Sequence, residues 1–275
     1  MRKMGLVAAV LLCKDEVDII EPVLRHMATQ VDFLIVADNN STDGTKDLLF
    51  DLSRELTITV LDDPEVGHYQ SRKVTNLAKV ARNQGAEWIV PFDSDEIWYS
   101  PFGTIKDILS GIASQWLIVS ADMYDHVTSS EDDLSEMDLV RRIGWRRIEK
   151  GLLPKVACRW REDLIIGEGN HSATYSGGAT SQNGLLVIRH FPYRSPEQFA
   201  RKARNGLAAY EATDLPESVG AHWRGYGSIL RSHGEEFLIN EVYKKHFHLE
   251  NPSSLDGVIY DPAPDSAFIH KINSD

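Results

Sequence analysis

The sequence predicts an α/β fold in which helices flank a mixed, mostly parallel sheet. Through the first half of the chain, continuous apolar segments alternate with segments of helical periodicity, as they do in βαβ units. Three of the apolar segments end abruptly in polar or acidic residues. Because parallel strands end at the same edge of a sheet, and ligands of open α/β sheets bind at that edge, these strand ends predict a site.

The first strand is predicted over residues 6–13, and Lys14, Asp15 and Glu16 follow it directly. Residues 17–27 then place five apolar side chains on one helical face. Pro22 fits this helix only in its first turn, because a proline further inside would remove a backbone hydrogen bond. The segment therefore predicts a strand with acidic residues at its tip, followed by a helix.

The second strand is predicted over residues 33–37, with Asp38 at its tip. The polar residues 39–43, which include Asn40, can satisfy turn backbone and the free amides of the helix that follows. A plain strand–turn–helix connection explains this segment without any ligand. The alternative is that the Asp38 carboxylate, at the strand tip, forms a hydrogen bond to a nucleotide base.

The third strand is predicted over residues 88–92 and runs into Asp93, Ser94 and Asp95. Two carboxylates this close repel each other unless a cation or hydrogen bonds hold them. A hard divalent ion takes one or two carboxylates and completes its shell with water and phosphate oxygens. Many Asp-x-Asp triplets are only turn or cap residues on a surface. The position after a buried strand favours a metal and phosphate role here.

Other elements are predicted from the same patterns: strands over residues 57–61 and 116–123, and helices over residues 68–82 and 105–112. Residues 129–138 are acidic and lack apolar periodicity, which predicts an exposed loop. Eight arginines and lysines follow between residues 141 and 161, with Trp145 and Trp160 among them. This basic region could hold an anionic ligand, pair with the protein's own acidic residues or contact anionic lipid.

Composition excludes several classes of protein. The 275 residues carry a formal net charge of −12, which argues against general nucleic-acid binding. The two cysteines, Cys13 and Cys158, make no disulfide framework, and both lie in apolar strand-like segments. A reducing cytoplasm is the simpler location, and no apolar stretch is long enough to span a bilayer. Peripheral contact with the inner face of a membrane is the alternative.

The motifs together resemble glycosyltransferases of the GT-A fold, close to family 2. The resemblance covers roughly the first half of the chain and rests on four segments in a fixed order. These are Lys14-Asp15-Glu16, residues 38–45 (Asp-Asn-Asn-Ser-Thr-Asp-Gly-Thr), residues 81–86 (Ala-Arg-Asn-Gln-Gly-Ala) and Asp93-Ser94-Asp95. In the second half, residues 189–195 (Arg-His-Phe-Pro-Tyr-Arg-Ser) resemble a segment that opens a late helix in a subgroup of the family.

The resemblance implies a nucleotide-diphospho-sugar donor, with a UDP-sugar expected, bound by residues 1–125. It implies an acceptor-binding, C-terminal helical half over residues 126–275 of the same compact domain. Glu16 and Asp38 would contact the nucleoside, and Arg72 and Arg82 would support the donor site. Asn40 and Ser94 are further donor-binding candidates. The family often has a second Asp where this chain has Asn39 and Asn40, which bears on how the ribose is held.

The resemblance also implies a divalent metal, Mn or Mg, held by Asp93, Asp95 and the late His190. A neutral imidazole at a strand end can coordinate Mn, although most single histidines in such positions are structural. The predicted helix that begins near Ser195 carries Lys202, and Arg194 precedes it. Both could neutralise the diphosphate as charge develops on it, or they could belong to a solvated helix face.

A general base for the acceptor hydroxyl is expected among three residues, because sugar transfer with inversion needs a carboxylate or imidazole within hydrogen-bond reach. Asp163 is preferred by a narrow margin, and Glu168 and His171 are its competitors. Glycines on both sides of Glu168 allow a ligand to approach closely, but they also suit a plain turn.

The function expected from the sequence is a metal-dependent, inverting glycosyltransferase that acts on a glycan, a lipid-linked acceptor or a small molecule. A sugar-nucleotide nucleotidyltransferase is one alternative, although such enzymes usually show a Gly-rich phosphate loop near the first strand. A catalytically inactive, sugar-binding GT-A scaffold is the other. It would bind no nucleotide in a metal-dependent way.

Overall fold

A computed structural model describes residues 5–263 of the chain. The outer ends of the two predicted halves, residues 1–4 and 264–275, lie outside the described part. The strands are β1 Leu6–Cys13, β2 Phe33–Asp38, β3 Ile58–Asp62, β4 Ala86–Phe92, β5 Glu96–Tyr99, β6 Ile118–Asp125, β7 Thr128–Ser129, β8 Trp145–Arg147, β9 Lys155–Arg159, β10 Ile165–Ile166, β11 Ala173–Thr174, β12 Ser181–His190, β13 His248–Leu249 and β14 Val258–Tyr260.

The helices are α1 Ile20–Gln30, α2 Thr45–Leu52, α3 Gln70–Asn83, α4 Ile105–Gly111, α5 Leu139–Arg142, α6 Pro196–Glu211, α7 Ala221–His233, α8 Glu235–Phe237 and α9 Lys244–His246. A π-helical stretch, Leu238–Tyr243, joins α8 to α9, and 3-10 turns occupy Glu168–Asn170 and Pro252–Ser254. The helix predicted over residues 17–27 begins later, at Ile20, which leaves Pro22 in its first turn as required.

The main sheet has eight strands in the order β3-β2-β1-β4-β9-β6-β12-β5. The pairs β3–β2, β2–β1, β1–β4 and β6–β12 are parallel, whereas β9 runs antiparallel to both β4 and β6, and β5 runs antiparallel to β12. The predicted fold class, an α/β fold with a mixed, mostly parallel sheet flanked by helices, is confirmed. Six strands therefore end at one edge of the sheet, and β5 and β9 begin there.

Apolar layers cover both faces of this sheet, because its strands carry long apolar runs rather than alternating patterns. One layer includes Trp88, Trp98 and Phe92, which are almost fully buried, and packs against α1, α2 and α4. The other layer lies beneath α3 and contains Cys158. Burial raises the pKa of both Cys13 and Cys158, so both thiols are inert core groups, as the sequence predicts.

The predicted boundary at residue 125 coincides with the end of β6, and the sheet runs across it. In the main sheet β6 pairs with β9 and β12, which both come from the second half of the chain. A third apolar cluster, formed by α6 and the π-helical stretch with Phe199 and Tyr243, lies outside the sheet. The division into donor and acceptor halves stays a prediction.

Candidate active site at the carboxyl edge of the sheet

Residues from distant parts of the sequence meet where the parallel strands end. In the sheet register His190, the last residue of β12, lies opposite Asp125 on β6 and opposite Glu96 on β5. Because β9 is antiparallel, its first residue, Lys155, also lies at this edge. The edge brings together the predicted residues Glu16, Asp38, Asp93, Ser94, Asp95 and His190, and α6 adds Lys202 with Arg194 just before it.

Strained backbone is concentrated at this edge. Asp15, Asn40 and Asn170 all adopt left-handed conformations, with φ of 55°, 54° and 58°. Such values cost a non-glycine residue about 1 kcal/mol or more, and they persist where surrounding contacts hold them. Asp15 is held in this way: its Oδ1 accepts from the Thr42 amide at 2.7 Å and its Oδ2 from Asn205 at 2.7 Å.

Asp93 is surrounded by donors from the chain itself. Its Oδ2 accepts from Lys155 Nζ at 2.5 Å, and its Oδ1 accepts from Gln70 at 3.2 Å and from Asn170 at 3.0 Å. Lys155 also pairs with Glu96 at 2.8 Å, and the Glu96 carboxylate is completely buried. Burial would lower the pKa of Lys155, but Asp93 and Glu96 outweigh it and raise that pKa.

Asp95 points to a different set of cations. Its Oδ2 accepts from Lys202 Nζ at 2.5 Å and lies 3.8 Å from Arg194, while its Oδ1 lies 3.7 Å from Nε2 of His190. Burial alone would raise the pKa of Asp95, but Lys202, His190 and Arg194 together hold it well below the usual range. The His190 Nδ1 is hydrogen-bonded to Asp125 at 2.7 Å. Burial opposes the charged imidazole, yet Asp95 and Asp125 raise the pKa of His190.

Asp93, Asp95 and His190, the residues predicted to bind a metal, lie at the same edge of the sheet, but their side chains do not form a metal-binding group. Among residues 5–263, no three His, Cys, Asp or Glu side chains are arranged so that they could hold a metal ion. Both oxygens of Asp93 face donors, and an ion between Asp95 and His190 would lie beside Lys202 and Arg194, which would repel it. These residues do not fit a Mn or Mg ion as they stand.

A buried ion-pair cluster links the tip of β1 to α6. The Arg194 side chain is fully buried, donates to Glu16 and makes two contacts of 2.9 Å with Asp18. Lys202 lies 3.6 Å from Glu16 and is partly exposed. The Ser195 hydroxyl caps α6 by accepting from the Gln198 amide at 3.1 Å, in the capping pattern that Ser195, Pro196 and Gln198 form in the sequence.

Asp38 is almost fully buried at the tip of β2, and its Oδ2 accepts from the Ser41 amide at 3.2 Å. Within the described chain its Oδ1 is buried without a hydrogen-bond partner. A cavity of about 240 Å³ is lined by Ala37, the residue before Asp38, and by Leu61, Lys73 and neighbouring residues. The side chain of Asn40 is exposed, whereas Asn39 donates to Asp63 and to the Glu65 carbonyl.

The two arginines predicted to support the donor lie at opposite edges of the sheet. Arg72, in the first turn of α3, pairs with Glu65 at 2.5 Å and borders the cavity that Ala37 and Leu61 line. Arg82, near the last turn of α3, contacts the Ala86 carbonyl at the beginning of β4. Arg82 is therefore not brought to the site, because a helix between parallel strands ends at the amino edge of the sheet.

The three candidate bases, Glu168, His171 and Asp163, lie in three different environments. Glu168 accepts from the Ser71 amide at 3.1 Å, and its Oε2 is buried without a hydrogen-bond partner in the described structure. Burial raises the pKa of Glu168, and the Ser71 amide offsets this only in part. Glu168 lines a cavity of about 410 Å³ with Tyr69, Ser71 and Leu215. It begins the 3-10 turn whose Asn170 reaches Asp93.

His171 lies behind this turn, where its Nδ1 contacts the Pro154 carbonyl at 3.0 Å, and burial lowers the pKa of its imidazole. Asp163 lies elsewhere. It follows β9, whose Arg159 lies opposite Trp88 near the beginning of β4, and it is held by Ser176 and Arg161. The hydrogen bonds from Ser176 lower the pKa of Asp163, so this carboxylate is a weak base away from the site.

The basic region between residues 141 and 161 is divided among separate ion pairs. Arg146 pairs with Asp261, Lys150 with Asp122, and Lys155 with Asp93 and Glu96. Arg159 pairs with Glu87 and stacks on Trp88, with 4.6 Å between the guanidinium carbon and the ring centre. Of the predicted acidic loop, Asp138 pairs with Arg141 at 3.6 Å. These contacts favour the interpretation as ordinary ion pairs over a single anion-binding patch.

Several residues of the site were not identified from the sequence. Lys155, Gln70, Asn170 and Asp125 contact the predicted site residues directly. The sequence indicates Lys155 only as one of eight basic residues, because the apolar pattern of β9 does not give the direction of this strand. Gln70 and Asn170 belong to the beginning of α3 and to a short turn, where no periodicity marks a polar side chain as buried.

No protein-family model and no curated protein matches the chain. Solved structures do resemble it. S. aureus TarS 1-349 is 15% identical over 86% of this chain and 75% of that one, with a TM-score of 0.41. Its complex with UDP-GlcNAc is 14% identical over 87% and 77%, with a TM-score of 0.40.

GalNAc-T7 with UDP, GalNAc and Mn²⁺ is 9% identical over 90% of this chain and 59% of that one, with a TM-score of 0.45. At such identities the likeness concerns only the arrangement of strands and helices. Separately, within residues 5–263 no helix is both long and apolar enough to cross a bilayer.

Proposed function

We propose that this chain is a glycosyltransferase that moves a sugar from a nucleotide-diphospho-sugar, with a UDP-sugar expected, to an acceptor hydroxyl. One observation carries the proposal. The tips of β1, β2 and β4 bring Glu16, Asp38 and Asp95 to the same edge of the sheet as Arg194 and Lys202. Acceptors for a nucleoside and cations for a diphosphate are thus side by side.

The nucleoside would bind at Asp38. Its unpartnered Oδ1 is an acceptor that a base N–H or a ribose hydroxyl can satisfy, and a buried carboxylate oxygen without a partner is costly. The cavity of about 240 Å³ that the preceding residue, Ala37, lines has apolar walls from Leu12, Ala37 and Leu61 and polar groups from Asp63 and Lys73. Such a mixture is typical of sites that bind a planar ring and fix its orientation.

The transfer would proceed by displacement at the anomeric carbon. An acceptor oxygen bonds to that carbon, the bond from the carbon to the diphosphate oxygen breaks, and its electron pair leaves with the diphosphate. The acceptor proton passes to Glu168, the candidate base that lines a cavity next to the site and whose pKa burial raises. Inversion follows from a single displacement of this kind.

The binding half of the proposal can be tested by calorimetric titration of UDP, GDP and dTDP, each with Mn and with a chelator. We expect one nucleotide to bind the wild-type protein and Asp38→Asn to weaken it by about tenfold or more, because a charged hydrogen bond is lost. Asp51→Asn, on the exposed end of α2, is the matched control and should bind normally.

Folding of each variant is checked by circular dichroism. If the folded wild-type protein binds none of these nucleotides under either condition, the proposed function is wrong, and an inactive scaffold is the better account. If Asp38→Asn binds as tightly as Asp51→Asn, the nucleoside does not bind at β2.

A further inference from the structure

Each carboxylate of the Asp93-Ser94-Asp95 segment holds a lysine of the chain itself. Lys155 Nζ lies 2.5 Å from Asp93 Oδ2, and Lys202 Nζ lies 2.5 Å from Asp95 Oδ2. The two lysines come from different elements, β9 and α6. The charge that a divalent ion would compensate is therefore already compensated by two ammonium groups.

The two lysines differ in what else they can contact. The Lys155 side chain is only 4% exposed and pairs with Glu96 as well as with Asp93. Its charge is therefore used inside the protein. The Lys202 side chain is 23% exposed and donates to Asp95 and to the Pro192 carbonyl. An ammonium has three donors, and the third has only the Glu16 carboxylate near it, at 3.6 Å, which is too far for a hydrogen bond. This donor can therefore turn to a ligand at the edge of the sheet.

Arg194 adds a second positive charge next to Lys202, because both side chains contact Oδ2 of Asp95. It is fully buried, it reaches Glu16, Asp18 and Asp95, and it cannot lose its proton. Glu16 and Asp95 in turn hold Lys202 in place, at 3.6 Å and 2.5 Å. A cation held in this way is preorganised, which is what electrostatic stabilisation of developing charge requires.

We propose that Lys202, supported by Arg194, supplies the positive charge that the donor diphosphate meets at this site, in place of a divalent ion bound to Asp95. This inference rests on the proposed glycosyltransferase function and concerns how the donor is held. Phosphate oxygens accept from the ammonium in a charge-assisted hydrogen bond. As the bond between the anomeric carbon and the diphosphate breaks, the negative charge develops beside Lys202.

The test is calorimetric titration of UDP in the presence of a chelator and again in the presence of Mn, with wild-type protein and Lys202→Met. Wild-type protein should bind UDP equally well under both conditions. Lys202→Met keeps the length of the side chain but not its charge, and it should lower affinity in chelator by about ten- to a hundredfold. Lys202→Arg keeps the charge and should retain most of the affinity.

Lys106→Met is the matched control, because Lys106 is an exposed lysine at the opposite edge of the sheet, 3.8 Å from Asp32. Mn should strengthen UDP binding only in Lys202→Met, where Asp95 has lost its ammonium. The inference is wrong if wild-type protein needs Mn to bind UDP, or if Lys202→Met binds UDP in chelator as well as Lys106→Met does. Failure to bind UDP, GDP or dTDP under either condition would instead overturn the proposed function, and this inference with it.

Discussion

Glu168 and Asp163 are carboxylates only five positions apart in the sequence, yet their surroundings give them opposite chemistry. Burial raises the pKa of Glu168, whereas hydrogen bonds from Ser176 lower the pKa of Asp163. A general base gains from a raised pKa, because its conjugate acid must hold the acceptor proton. By chain order the family resemblance favours Asp163 or Glu168, with Asp163 ahead by a narrow margin. The cavity that Glu168 lines and its raised pKa favour Glu168 instead.

Glu168→Gln should therefore leave nucleotide binding unchanged and lower the rate of sugar transfer by about 10²–10⁴. The measurement is the rate of nucleotide release from the sugar nucleotide that the protein binds. In wild-type protein this rate should rise with pH as Glu168 loses its proton, with a midpoint above the ordinary range of a glutamate, and the glutamine variant should lack this rise. Asp163→Asn is the comparison: if it loses the activity and Glu168→Gln keeps it, the assignment is reversed.

Some residues of the site were accessible to sequence reasoning and others were not. Glu16, Asp38 and Asp95 were identified because an apolar run that stops at a polar residue marks a strand tip. Lys155 and Arg82 show the limit of that reasoning. Lys155 begins an antiparallel strand and so reaches the site, whereas Arg82 ends a helix and points to the other edge. The direction of an element depends on its pairing, which a single segment does not encode.

The beginning of helix α6 bears both on the stability of the helix and on the proposed binding of the diphosphate. Its cap, Ser195, lies between Arg194 and the helix that carries Lys202. Gln198 completes the arrangement by accepting from the Arg194 amide at 3.1 Å. The sequence predicts this start fully, because Ser, Pro and Gln at these positions form a recognisable capping pattern. It does not predict that the helix places its cations against Asp95.

Ser195→Ala should lower the free energy of unfolding by about 1 kcal/mol and also weaken UDP binding, because Arg194 and Lys202 lose their fixed position. Thr104→Ala removes the equivalent cap of α4, where Thr104 accepts from the Asp107 amide at 3.2 Å. This control should cost a similar amount of stability without changing binding. Denaturant titration measures the change in stability and calorimetry the change in binding. If both variants bind UDP equally well, the α6 cap does not contribute to UDP binding and the prediction is wrong.

Across the whole molecule, the order of the strands interleaves the two predicted halves. β9 lies between β4 and β6, and β12 lies between β6 and β5, so strands from beyond residue 125 separate strands from before it. The site is assembled in the same way, since Asp95 belongs to the first half and His190, Arg194 and Lys202 belong to the second. Apolar periodicity predicted most of these strands, but their order depends on long-range pairing that local patterns do not carry.

We therefore expect the chain to unfold as one cooperative unit and residues 1–125 to remain unfolded when expressed alone. Without β9, both β4 and β6 would expose unpaired edges, and the layer that buries Trp88 and Trp98 would lose Ala157, Leu186 and Ile188. Guanidinium titration of the whole chain should give the same midpoint by tryptophan fluorescence and by far-ultraviolet circular dichroism, because a single transition moves both signals together. Two separate midpoints, or a folded 1–125 fragment that binds UDP, would show that the first half is an independent donor-binding domain.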